Sequence, residues 1–246
     1  MTTTTGTGKV AIVTGASAGI GRATSVALNQ AGWNVVVTAR RADELEKTKE
    51  LMKVDDSRQC LAVAGDITDE SFVKTLFTKT KEQFGRLDLL FNNAGLGQRQ
   101  VPIEEIPVEV FQKVVTINLV APFICTKEAM QLFKSQSPPG GRIINNGSIS
   151  AIVPRPLSYA YAASKHGLTG LTKTTALEGR KYNVACTQIN IGNAATAMGS
   201  QHTGGTLQPD GRMVEEPSLD VKHVVDAILH IAGLPNEVSV LEMTVL

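Results

Sequence analysis

Apolar strand-like runs alternate with longer amphipathic stretches along almost the whole chain, and this rhythm restricts the fold to βαβ units around a parallel sheet. The runs predict strands over 9–14, 33–39, 59–64, 87–92, 142–146, 184–190 and 238–245, and helices over 19–31, 43–52, 68–84, 107–135, 158–181 and 220–232. Such a set is most economically a single seven-stranded, doubly wound α/β sheet with helices on both faces. Pro122 predicts a kink in the fourth helix, because proline lacks the N–H that the helical ladder needs. The stretch 196–217 is long, polar and glycine-rich without periodicity, the pattern of a substrate loop or lid. At 246 residues the chain reads as one domain, 1–246, with a flexible Thr/Gly-rich N-terminus over 1–8.

Lys and Arg number 24 against 23 Asp and Glu, a formal charge of +1. No excess of cations is therefore at hand for a nucleic-acid polymer. Aromatics make up only 4% while Gly reaches 22 residues, a balance suited to buried parallel strands with closely packed helices. Cys60, Cys125 and Cys186 are odd in number and form no CxxC pair, which predicts reduced thiols rather than disulfides or zinc. The histidines show no ligand spacing, so no metal is expected. No run approaches the roughly 18 apolar residues of a membrane helix, and the N-terminus lacks a signal core. A cytoplasmic protein without membrane or nucleic-acid partners is expected.

Thr14-Gly-Ala-Ser-Ala-Gly-Ile-Gly21 joins the first strand to the first helix. Gly15 permits a tight turn, Gly19 lets backbone N–H groups approach a pyrophosphate, and Gly21 permits close helix–strand packing. This spacing resembles the TGxxxGxG turn of the short-chain dehydrogenase/reductase family. Further motifs follow in the family's order: Asn92-Asn-Ala-Gly95 after the fourth strand, Asn118, Ser148, and Tyr161-Ala-Ala-Ser-Lys165 as YxxxK. The resemblance implies a Rossmann fold and a nicotinamide dinucleotide. It assigns the cofactor to Gly15, Ser17, Gly19, Ile20, Gly21, Asp66, Ile67, Asn93, Ala94, Gly95, Tyr161, Lys165, Gly192 and Thr196. Asp66 has a competing structural reading, because Asp66, Thr68 and Asp69 all lie where a helix start favours short polar side chains. Asn92 reads as a sheet brace.

An acidic residue about 20 positions past the glycine turn would bind the ribose hydroxyls of NAD. Here Ala39 stands in that place, followed by Arg40 and Arg41, whose guanidinium groups suit a 2′-phosphate. NADP(H) is expected over NAD(H).

Tyr161 and Lys165 are four apart on a helix and so share one face. The ammonium, together with the cationic oxidised nicotinamide, should pull the phenol pKa down, letting Tyr161 act as general acid and base. Ser148 can hold the substrate oxygen. The resemblance adds that Lys165 binds the nicotinamide ribose and that Asn118 holds a water leading to solvent. One departure is Ile191, where the family usually has proline, so the following loop loses a fixed φ and is expected to be more mobile.

These features predict an NADP(H)-dependent oxidoreductase acting between a ketone or aldehyde and a secondary alcohol, with a mostly uncharged substrate. The alternatives are a 3-oxoacyl-[acyl-carrier-protein] reductase, for which Arg99 and Arg155 hint at a basic docking patch, and a catalytically silent NADPH-sensing or scaffold protein. Small residues Ala162, Ala163, Gly167 and Gly170 beside Tyr161 could pack helices within the subunit. The resemblance implies instead a symmetry mate there, in a homotetramer or homodimer.

Overall fold

The computed structural model describes residues 6–53, 55, 58–196 and 205–246. Seven parallel strands form one sheet in the order β3-β2-β1-β4-β5-β6-β9. They are β1 (Val10–Thr14), β2 (Asn34–Ala39), β3 (Cys60–Ala64), β4 (Leu89–Asn92), β5 (Gly141–Asn146), β6 (Val184–Ile191) and β9 (Glu242–Val245). The helices are α1 (Gly19–Gln30), α2 (Ala42–Glu50), α3 (Glu70–Phe84), α4 (Val108–Val115), α5 (Ala121–Ser135), α6 (Tyr159–Gly179) and α7 (Val221–Gly233).

Alternation along the strands splits the core in two. Val10 and Ile12 of β1 face a layer with Leu76 of α3, Cys125 and Phe133 of α5, and Ala176 of α6. Ala11 and Val13 point the other way, toward Leu28 of α1, Leu45 of α2 and Ile228 of α7. Both faces of the sheet are thus covered, which is why its strands read as nearly unbroken apolar runs. The order reverses at β1 and β4, and loops at the carboxyl ends of the strands diverge there to leave a crevice.

Three expectations are corrected. The fourth helix is divided by a π turn over Thr116–Val120, in which the Ala121 N–H bonds the Thr116 carbonyl. Pro122 supplies no N–H to the preceding turn, so the ladder is one donor short where it widens. The same segment, Val108–Ser135, is long and apolar enough to cross a membrane by length and composition alone. Here Ala121, Cys125, Ala129 and Phe133 bury its inner face against the sheet. The loop over 196–217 is not wholly irregular: β7 (Thr206–Leu207) and β8 (Met213–Val214) pair antiparallel within it. Its residues 197–204, and the N-terminal 1–5, lie outside the described residues.

Candidate active site

The cleft above the carboxyl ends of β1, β4, β5 and β6 has a volume of about 790 Å³. At one end the chain leaves β1 through Gly15, whose φ of +65° suits glycine. A Cβ at Gly15 would lie 2.8 Å from the Ala94 Cα, and one at Gly21 would lie 2.4 Å from the Gly15 carbonyl oxygen. Backbone therefore crosses backbone here with no room for a side chain. The amino end of α1 has no side-chain cap and no acidic residue in its first turn, and Ala18, Gly19 and Ile20 line the cleft. Uncapped N–H groups and the positive end of the helix dipole are thus turned to a site that suits an anion.

Ala39, Arg40 and Arg41 line the same end, and Arg41 donates to the buried Ser17 Oγ at 3.1 Å. Asp66 and Ile67 lie beside them. Asp66 Oδ1 accepts from both the N–H and the hydroxyl of Thr68, while Asp69 caps α3. Asp66 therefore shapes a turn at the wall of the cleft rather than capping the helix. Asn93 Nδ2 donates to the carbonyls of Thr14 and Gly15, fixing the glycine turn to β4, and Ala94 and Gly95 continue the wall. Asn92 Nδ2 donates to Asn145 Oδ1 of β5 and to Thr126 Oγ1 of α5, bracing the sheet and tying it to the helix.

The reactive groups lie midway along the cleft. Ser148 follows β5, and its hydroxyl hydrogen-bonds Tyr161 while accepting from the Ser150 N–H at 3.1 Å. Lys165 is buried, donates from Nζ to the Asn146 carbonyl at 2.6 Å, and sits 5.5 Å from the Tyr161 ring centre. Burial pushes its ammonium down to about 8. The expectation of an acidified tyrosine is corrected: burial raises the Tyr161 phenol above its usual range, against smaller opposing effects of the Ser148 hydrogen bond and the Arg155 charge. The protonated phenol is the form that donates to a developing alkoxide.

Asn118 lies in the π turn, buried. Its side chain accepts from the Leu96 N–H at 2.7 Å and donates to the Leu96 carbonyl and to Ser164 Oγ. Those contacts tie the loop after β4 to α6 and commit the side chain to protein partners.

Two participants were not singled out by sequence reasoning. Asn146 links the halves of the site: its carbonyl receives Lys165, and its Nδ2 donates to Asn93 Oδ1 at 3.0 Å. Gln98 Oε1 accepts from the N–H groups of Ala160 and Tyr161 at 2.7 and 3.1 Å, and its Nε2 donates to the Leu157 carbonyl. It thereby caps the helix that carries Tyr161 from 62 residues away, which no local pattern could reveal. Replacing it by leucine should lower kcat about tenfold, the cost of a lost helix cap near a reacting group. Gln98→Glu, which keeps the acceptor, should retain most of the rate in the same steady-state assay.

Ile191 is buried and still within β6, opposite Val245, and the Gly192 N–H donates to the Val245 carbonyl at 2.9 Å. Thr196 lies 3.6 Å from where a Cβ at Gly19 would stand, against the glycine turn. Gly167 packs on Leu119, so this small residue serves contact within the subunit, whereas Gly170 faces open space. Among the described residues no cluster of metal-ligating side chains occurs, and Cys60, Cys125 and Cys186 are free thiols.

The family model for the short chain dehydrogenases matches residues 9–205. The chain belongs to this family, and it is an oxidoreductase of the hydride-transferring kind. It is 38% identical over 204 residues to short chain dehydrogenase/reductase astE of Aspergillus oryzae, covering 83% of this chain and 76% of that one. Among solved structures it is similar to levodione reductase, with a TM-score of 0.85 and 26% identity over 98% of this chain and 96% of that one. A 3-ketoacyl-(acyl-carrier-protein) reductase from Brucella melitensis complexed with NADH gives 0.84 and 26%, covering 97% of each chain. A metagenomic short-chain oxidoreductase in complex with NADP gives 0.81 and 26%, covering 98% and 97%.

Proposed function

We propose that the protein is an NADP(H)-dependent reductase of ketones or aldehydes, running in reverse as a secondary-alcohol dehydrogenase. The observation that carries this reading is the convergence of Ser148, Tyr161 and Lys165 in a cleft whose far end is an uncapped helix terminus beside Arg40 and Arg41. A nicotinamide dinucleotide fits these residues, since the glycine turn leaves backbone bare where a pyrophosphate would lie. The phosphates would rest on the amino end of α1, and Lys165 would hold the nicotinamide ribose. When bound, the nicotinamide delivers or accepts the hydride. Ser148 orients the substrate oxygen, and Tyr161 Oη gives it a proton as the carbonyl becomes an alcohol. Lys165, placed beside the phenol, favours the phenolate left behind. Asn118 acts as a positioning residue, holding Leu96 and α6 in register.

Preference for NADP(H) rests on Arg40 and Arg41 and on the lack of a carboxylate at Ala39. Relatives bound to NADH and to NADP both resemble the fold, so the preference is carried by these side chains. Replacing Arg40 and Arg41 together by alanine should lower kcat/KM for NADPH by about ten- to a hundredfold, as expected for lost charge-assisted bonds. The value for NADH should change far less, and equal losses with both nucleotides would remove the arginines from phosphate recognition.

The second reading, reduction of 3-oxoacyl groups on a carrier protein, needs an exposed basic patch at the cleft mouth. Arg155 is held by Glu216, which leaves Arg99 as the exposed arginine of the two. Oxidation of NADPH measured against ketones, ketoesters, oxoacyl thioesters and sugars distinguishes the two.

In this reading the enzyme is a cytoplasmic homotetramer or homodimer. Supporting the assembly, Val108, Phe111, Val120 and Phe123 of the long helix are exposed, as are Tyr159 and Leu177 of α6. Phe123→Asp should shift the sedimentation of the protein toward a smaller species. An unchanged sedimentation coefficient, or a monomeric wild type, would remove this face from assembly.

A further inference from the structure

Resting on the reductase reading, we infer that Glu216 sets the substrate class: it neutralises Arg155 in the cleft wall and so reserves the site for uncharged carbonyl compounds over carboxylates. Arg155 lies in the segment after Ser148 and lines the cleft. Its guanidinium bonds the Glu216 carboxylate and, at 3.1 Å, Asn193 Oδ1. Glu216 Oε2 also accepts from Asn193 Nδ2 at 2.6 Å, and Oε1 accepts from Gln208 Nε2 at 3.0 Å. Among the described residues alone, both carboxylate oxygens are engaged from three separate segments, so the charge is held in place rather than swinging in solvent. Asn193 follows Gly192 directly and lines the cleft with Arg155, in the half that holds Ser148 and Tyr161.

The charges elsewhere in the cleft sharpen the point. Arg40, Arg41 and Asp66 lie at the opposite end, after β2 and β3. Lys165 is committed to the Asn146 carbonyl, and Lys113 stands on an exposed position of α4 at the rim. Among the described residues that line the substrate half, Arg155 is the remaining cation, and a guanidinium fork is the natural receptor for a substrate carboxylate. Glu216 and Asn193 both take Nη2 of that fork, and the Glu216 carboxylate offsets its charge. A bound keto acid would have to expel it or lie beside a like charge, and such repulsion is how a site discriminates against a competitor.

The test compares two matched probes, cyclohexanone and 4-oxocyclohexanecarboxylate. In Glu216→Gln, which keeps an amide oxygen for Asn193 or Gln208, the ratio of kcat/KM for the keto acid over the ketone should rise about tenfold or more. Arg155→Gln should move the ratio the other way, and the double variant should lose the gain. An unchanged ratio in Glu216→Gln, or the same gain in the double variant, would overturn the inference. Wild-type turnover of neither probe would count against the reductase reading instead. Calorimetric titration of the NADP⁺ complex with the same two compounds would then still give the ratio as Kd values. A Kd ratio unmoved by Glu216→Gln, or no binding of either probe by any variant, would overturn the inference.

Discussion

Tyr161→Phe should lower kcat for carbonyl reduction by about a hundred- to ten-thousandfold, the range that a positioned general acid supplies. The ring, its packing and the helix would be kept, and only the proton donor would go. Nucleotide affinity, measured by fluorescence titration, should stay close to wild type, because the glycine turn, Arg40, Arg41 and Lys165 are all left in place. The loss should be steep because burial holds the phenol protonated and Ser148 orients it, so it meets the substrate oxygen already in the donating form. A phenylalanine variant with wild-type kcat would remove Tyr161 from the mechanism.

The second large effect is expected at Lys165. Lys165→Met removes the ammonium beside the phenol and its bond to the Asn146 carbonyl, and kcat should fall by about a hundredfold or more. The pH dependence has a definite sign. Burial lowers the Lys165 pKa from 10.5 to about 8, so its positive charge is complete well below 8 and is lost above it. Ketone reduction by the wild type should therefore fall as the pH rises through about 8, and the methionine variant should lack that limb. Stability should respond in the opposite sense. A folded-state pKa below the unfolded value means that folding carries a penalty for the charged lysine, growing as the pH drops from 10.5 toward 8 and constant below that. At neutral pH the methionine variant should accordingly melt at a higher temperature than the wild type while turning over far more slowly. A variant both less stable and equally active would contradict the assignment of a buried catalytic cation.

The parts of the site that local physics dictates were legible in the residues. A glycine at a crossing of backbones, or two side chains one helical turn apart, is written in spacing alone, and Gly15, Gly21, Tyr161 and Lys165 lie where that spacing puts them. The parts made by tertiary contact were not. The Tyr161 phenol is expected to be acidified by the Lys165 ammonium and an oxidised nicotinamide, yet burial raises it, and burial depends on what folds over the ring. Gln98 caps α6 across 62 residues, and Glu216 reaches Arg155 across 61, so neither partner could be read from a motif. The π turn at Thr116–Val120 was half visible: Pro122 announced a disturbed ladder but not whether the helix would bend or widen. At Ile191, where the family usually has proline, β9 arrives from the far end of the chain to pair with it, a contact no local pattern announces.

Deuterium transfer tests hydride delivery at this site most directly. NADPH carrying deuterium at the reactive carbon of its nicotinamide is incubated with the wild-type enzyme and a ketone, and the alcohol is examined by mass spectrometry. The predicted result is one deuterium per alcohol on the carbinol carbon when one of the two nicotinamide faces is labelled, and none when the other is. Alcohol that carries no label from either face, or that takes its carbinol hydrogen from solvent, would contradict it.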